Sequence, residues 1–102
     1  MNLKLAEQEI AEALAPVPEW QREHKVIMRR FHFADFVQAM SFVNQVADVA
    51  EARNHHPFIS IDYKVVTLRL TSWHAGGLTA QDFAEAEDFD RLYQTLKTSP
   101  SA

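Results

Sequence analysis

Two adjacent histidines, His55 and His56, follow the carboxylate of Glu51 by about one helical turn and run directly into Pro57. Imidazole changes charge near neutral pH, so each ring can give or take a proton there. A carboxylate within reach of a ring N–H orients the ring and favours its protonated form. This set suits acid–base chemistry, in which one group protonates a departing oxygen and another removes a proton from the substrate. Pro57 disfavours helical geometry in the residue before it, so the helix carrying Glu51 ends at the histidines. The rings then stand where a helix stops and a strand begins, a usual place for chemistry on a rigid scaffold. Taken alone, the pair reads first as a polar helix end capping carbonyls, and Glu51 as a solvated carboxylate.

The neighbouring residues add to this. Tyr63 follows Pro57 after a short apolar run, and Thr71-Ser72-Trp73-His74-Ala75-Gly76-Gly77-Leu78-Thr79 leads to Asp82. Upstream stand Ile27-x-Arg29-x-Phe31-x-Phe33, Phe36, and Ala39-Met40-x-Phe42-Val43-x-x-Val46-Ala47. On these residues the chain resembles the pterin-4a-carbinolamine dehydratase family, over nearly its whole length from Glu9 to Leu96. His-His-Pro by itself is a weak signal. Combined with this spacing to an aromatic and to Ala-Gly-Gly-Leu-Thr, it is a strong one.

The resemblance implies dehydration of a 4a-hydroxy-tetrahydropterin to the quinonoid dihydropterin, which recycles pterin for aromatic amino acid hydroxylation. Hydroxide leaves C4a poorly, so an acid protonates it while the N5 lone pair expels it, and a base takes a ring proton. No redox step occurs, so no cofactor is expected. By resemblance, His55 and His56 carry the acid/base and polarising roles, in an order left open, and Glu51 orients a ring. Trp73, Pro57 and Asp82 are implied on the substrate side, Asp82 from behind the residues that touch it. Asp82 reads equally as the capping-box partner of Thr79. A partner hydroxylase and a homodimer or homotetramer are further expectations.

One position departs from the family pattern. Trp73 occupies the slot where the family usually has a third histidine. Indole donates a hydrogen bond but cannot shuttle protons. Trp73 therefore either stacks on or donates to the pterin, or serves as packing. If the lost histidine assists one step, the rate falls by part of the ~10²–10⁴-fold that such groups contribute. His74 is adjacent, but on a strand neighbouring side chains face opposite ways, so it is expected to point away from the site unless the strand ends before it.

Composition bounds the answer. The 102 residues suit one domain, taken as 1–97 with a disordered tail at 98–102, and the net charge is −4. A domain of this size buries a modest share of its surface, which favours oligomerisation. No basic patch argues for direct nucleic-acid binding. Only two glycines occur, adjacent at Gly76 and Gly77, so a Gly-rich phosphate loop is excluded. Without cysteine there is no thiolate metal site or disulfide, which fits the cytoplasm. Neither a signal peptide nor a bilayer-length apolar run is expected.

The elements that must position these residues follow from periodicity. Leu5 to Ala15 reads as a short helix stopped by Pro16 and Pro18, with Trp20 as a packing anchor. Glu19 to Glu23 and Lys25 to His32 read as a hairpin, with Arg29 at an edge or reaching its head into water. His24 in the turn and His32 on the outer face are taken as solvated. Asp35 caps a helix from Phe36 to about Asn54. Its apolar stripe runs through Phe36, Ala39, Met40, Val43, Val46, Ala47 and Ala50. Phe42 and Val49 widen it and are expected to contribute to an oligomer contact. Phe58 to Tyr63 and Val65 to Trp73 read as a second hairpin, and a last helix starts at Ala80. The order helix, two strands, helix, two strands, helix gives an α+β two-layer sandwich. Its four-stranded antiparallel sheet carries the helices on one face.

Two further readings compete. The first is a catalytically weak or inactive protein that binds or assembles partners on the same scaffold. An open cleft beside His55 and His56 discriminates against it, whereas a cleft filled by Trp73 supports it. The second is a metal site built from His55, His56, His74 and Glu51. Adjacent histidines rarely share one ion, and no His pair stands at i, i+4, so no metal is expected.

Overall fold

The computed structural model describes residues 3–98. Helix α1 (Glu7–Leu14) lacks a side-chain N-cap, because Ala6 occupies that position. Glu9 compensates by accepting from the Ala6 backbone N–H at 2.7 Å. Strands β1 (Gln21–Glu23) and β2 (Val26–His32) follow, then helix α2 (Phe36–Arg53). Asp35 caps α2 by accepting from the Gln38 N–H at 2.8 Å. Strands β3 (Phe58–Asp62) and β4 (Val65–Leu70) lead through a 3₁₀ turn (Trp73–Ala75) to helix α3 (Ala80–Thr98). Of the tail expected at 98–102, Thr98 is the last residue of α3, and residues 99–102 lie outside the described residues.

The sheet is antiparallel throughout, in the order β1-β2-β4-β3. Ile27 and Phe31 on β2 and Val66, Leu68 and Leu70 on β4 are fully buried on the helix-facing side. Against them α2 sets Ala39, Phe42, Val46 and Ala50, and α3 sets Phe83, Ala86 and Phe89. Each of the Val, Leu, Ile and Phe side chains among them contributes roughly 1.5–3 kcal/mol by burial. Trp20, edge-on to Phe31, closes the layer and donates its indole N–H to Asp90 at 2.8 Å.

Four sequence expectations are corrected. Phe42 is fully buried in the monomer core, whereas Phe36 is exposed, so the wide flank of α2 is largely covered within the chain. Arg29 is neither on an edge nor in water. It sits on the interior strand β2, pairs with Asp90 at 2.7 Å, and lies over the rings of Phe31 and Tyr93. Tyr63 belongs to the β3–β4 turn with φ of 55°, not to the strand. Finally, β4 stops at Leu70 rather than Trp73. Its ladder partners end there: Leu70 faces Ile27 near the start of β2, and Arg69 faces the first residue of β3. Beyond that point Thr71 donates to the Lys25 carbonyl, and Ser72 pairs with Gly77.

Candidate active site

The C-terminus of α2 fixes the first half of the site. Asn54 adopts the left-handed conformation, φ 51° and ψ 44°. Its N–H reaches the Glu51 carbonyl, and the His55 N–H reaches that of Ala50 at 3.1 Å, the two bonds of a Schellman cap. Asparagine tolerates this conformation better than most residues. The cap turns the chain sharply, so His55, His56 and Pro57 enter β3 with their side chains beside the end of the sheet.

The second half comes from the segment between β4 and α3. Asp82, in the first turn of α3, is completely buried. One oxygen takes the His55 Nε2 at 2.6 Å. The other accepts from the Ser72 hydroxyl at 2.8 Å and the Thr79 N–H at 2.9 Å. Ser72 and Thr79 also bond to each other at 2.9 Å. Asp82 is thus the capping carboxylate of α3 and the partner of His55 at once. Its second oxygen accepts from two neutral donors, so Asp82 serves as an acceptor and His55 donates Nε2–H to it. Nδ1 remains for other work.

His56 is arranged differently. Its Nε2 lies 2.6 Å from Glu51, and both side chains are exposed, at 55% and 77%. Glu51 therefore orients His56, while buried Asp82 orients His55, whose own side chain is only 14% exposed. The two rings have partners of unlike environment, one buried and one solvated.

The rings border a cleft of about 1010 Å³. His55, His56, Pro57, Phe58, Trp73 and His74 are among the residues that line it. Trp73 is 74% exposed and meets Phe58 edge-on at 6.0 Å. It forms part of the rim without filling the space. His74 departs from its expected orientation. The strand has ended before it, so strand alternation no longer applies, and it lines the cleft together with Trp73. Asp82 and Glu51 are not among the lining residues; each is linked to the cleft through an imidazole that lines it. The sequence pattern missed Ser72, whose hydroxyl helps hold Asp82, and Lys4, which reaches the cleft rim. The Leu5 N–H bonds to the Leu78 carbonyl at 2.8 Å and straps this N-terminal segment across the loop. That strap is a long-range backbone contact, with no local signal.

Comparison with known proteins places this geometry. The sequence profile of the family described as pterin 4 alpha carbinolamine dehydratase matches residues 3–92. The chain belongs to that family. Its members are hydro-lyases, and the chain is an enzyme of that class. A relative from Picosynechococcus sp. strain PCC 7002, provisionally named pterin-4-alpha-carbinolamine dehydratase, is 46% identical over 92 residues. That match covers 90% of this chain and all of the relative. Among solved structures, a transcriptional coactivator/pterin dehydratase from Brucella melitensis superposes with a TM-score of 0.85 at 33% identity, over 88% of this chain and 98% of that one. A pterin dehydratase-like protein identified as a RuBisCO assembly factor in the alpha-carboxysome shares the fold, with a TM-score of 0.61. It is 24% identical, over 72% of this dehydratase-family chain and 86% of that one. No described helix is long and apolar enough to cross a membrane.

Proposed function

We propose that the cleft dehydrates a 4a-hydroxy-tetrahydropterin through general acid–base catalysis by His55 and His56. The observation that carries this reading is that two imidazoles, each held by its own carboxylate, border one open cleft. In the reaction the C4a–O bond breaks and the oxygen leaves as water with a proton from an imidazolium. The N5 lone pair forms the C4a=N5 bond, and a neutral imidazole takes one ring proton. One proton is given and one taken, so the proton count of the pair is restored, and each ring returns to its starting form by proton exchange with water. His55 is suited to the proton-donor step. Its buried carboxylate holds Nε2 and leaves Nδ1 for the substrate. Solvated His56 exchanges protons readily with water. Glu51 and Asp82 act as positioning residues.

Trp73 and Phe58, edge to face, offer an aromatic surface against which the flat pterin ring packs, and Pro57 lines the same cleft. The place of the family's usual third histidine is taken in part by His74, which borders the same cleft. The chemistry needs no cofactor. The physiological role we assign is cytoplasmic recycling of pterin for aromatic amino acid hydroxylation. The alternative reading, a protein-binding or assembly factor, draws on the exposed Trp73–Phe58 pair. The open cleft argues for the enzyme.

Dehydration of freshly generated 4a-hydroxy-tetrahydropterin, followed by ultraviolet absorbance, tests the proposal. Wild type is expected to accelerate the spontaneous reaction, with ~10²–10⁴-fold of the effect lost in His55→Ala. Trp73→His is expected to change the rate by less than His55→Ala does. No acceleration by wild type, with activity appearing only in Trp73→His, overturns the enzyme reading in favour of the binding protein.

A further inference from the structure

Glu85 is a charged residue in an apolar position. It lies on α3, is 0% exposed, and among the described residues neither carboxyl oxygen has a hydrogen-bond partner. A buried ionised carboxylate without a partner is very costly. The charged groups facing it are few. From α3 come Asp82 and Asp88, one turn before and one turn after, and from α2 comes Arg53. The Arg53 guanidinium is already bonded to Asp88, and no bond links it to Glu85. Next beyond Asp82 stands His55, bonded to it at 2.6 Å. Glu85, Asp82 and His55 thus form a line from the α2–α3 interface to the cleft.

We propose that Glu85 is a positioning residue of this site, a carboxyl group behind Asp82 whose charge state sets how long His55 stays protonated as pH rises. The proposal rests on the role assigned above to His55. Burial, the largest cause, pushes the Glu85 carboxyl up to about 8, with Asp82 and Asp88 adding to the rise and Arg53 opposing it. At neutral pH the group is a neutral acid, and Asp82 alone faces His55 with a charge. When Glu85 ionises, a second negative charge appears one turn behind Asp82. A negative charge favours the imidazolium, so His55 keeps its proton to higher pH. Titrations coupled in this way proceed in shared steps that belong to the pair.

The test is an NMR titration of the His55 ring in the intact protein from pH 5 to 10, with the signal assigned by its loss in His55→Gln. Wild type is expected to give a broadened curve with a second step near pH 8. In Glu85→Gln the step near pH 8 is expected to disappear, leaving a curve with one step. Glu85→Leu, which is apolar and of similar volume, is expected to give the same single step, which separates charge from hydrogen bonding. A second step that persists in both variants belongs to another group, such as the α-amino group, and overturns the proposal. So does a single step in wild type. Because the signal is a chemical shift, it is read whether or not the protein dehydrates pterins. The pH profile of kcat/KM then shows whether the limb near pH 8 disappears with Glu85. Failure of the dehydratase reading and failure of this coupling are thereby told apart.

Discussion

Asp82 caps a helix and holds a histidine with one carboxylate, and Glu85, one turn further along, has no hydrogen-bond partner among the described residues. The contrast makes a prediction about stability. A carboxyl whose folded-state value is raised from 4.5 to about 8 binds a proton in the folded chain that it has lost in the unfolded one. Its contribution is fully favourable below pH 4.5, declines as pH rises, and reaches its full cost above pH 8. Each unit of displacement corresponds to about 1.4 kcal/mol, so the swing is on the order of a few kcal/mol. Glu85→Leu is therefore expected to gain stability relative to wild type between pH 5 and pH 8.5, measured by urea unfolding at both. A difference that does not grow with pH refutes the assignment. At this scale the sequence was partly legible. Glu51, His55, His56, Trp73 and Asp82 stand out by type and spacing. Glu85 does not, because a glutamate in an acidic helix looks solvated until the opposing helix is seen to cover it.

The element that decides the site is the C-terminal turn of α2. It releases the chain through a left-handed residue, and this puts both imidazoles at the cleft. Asn54→Gly is expected to keep the turn and change stability by less than about 1 kcal/mol, since glycine adopts this conformation freely. Asn54→Val places a β-branched side chain there, at a cost of ~1–2 kcal/mol or more. Its dehydration rate should fall further than that of Asn54→Gly, because the His55–Asp82 bond is displaced. Denaturant midpoints and the ultraviolet assay check both. If the valine variant matches wild type in stability and rate, the turn does not position the rings. Periodicity revealed the elements themselves, since helices and strands differ in the spacing of apolar residues. It could not locate the end of β4, because a strand stops where its ladder partners stop, and β2 and β3 lie far away in sequence. Nor could it explain Arg29, whose partner Asp90 is 61 residues away.

At the scale of the whole molecule, the two edges of the sheet differ. The β1 edge is short and polar, Gln21-Arg22-Glu23, and Arg22 is tied to Glu7 by two hydrogen bonds of 2.7 and 2.8 Å. Short, charged edges resist pairing with another chain. The β3 edge lacks such protection. Phe58, Ile59 and Ile61 are 50%, 38% and 39% exposed, on a strand bonded only to β4. Ile59 and Ile61 face Leu68 and Val66 across the ladder, so they extend the helix-side core out to the rim. A small domain gains much by covering such a margin. A second copy is the occupant that this edge fits, since an antiparallel pairing about a two-fold axis joins the same residues on both partners. Light scattering across micromolar concentrations is expected to give a homodimer or a larger even assembly. Ile61→Lys, which sets like charges together at the seam, is expected to weaken association by on the order of 100-fold while leaving the circular dichroism unchanged. A wild-type protein that stays monomeric at the highest concentration shows that β3 is covered by something else or left bare. Since Phe58 both belongs to this edge and lines the cleft, loss of the dimer should then be compared with loss of dehydration in the same variant.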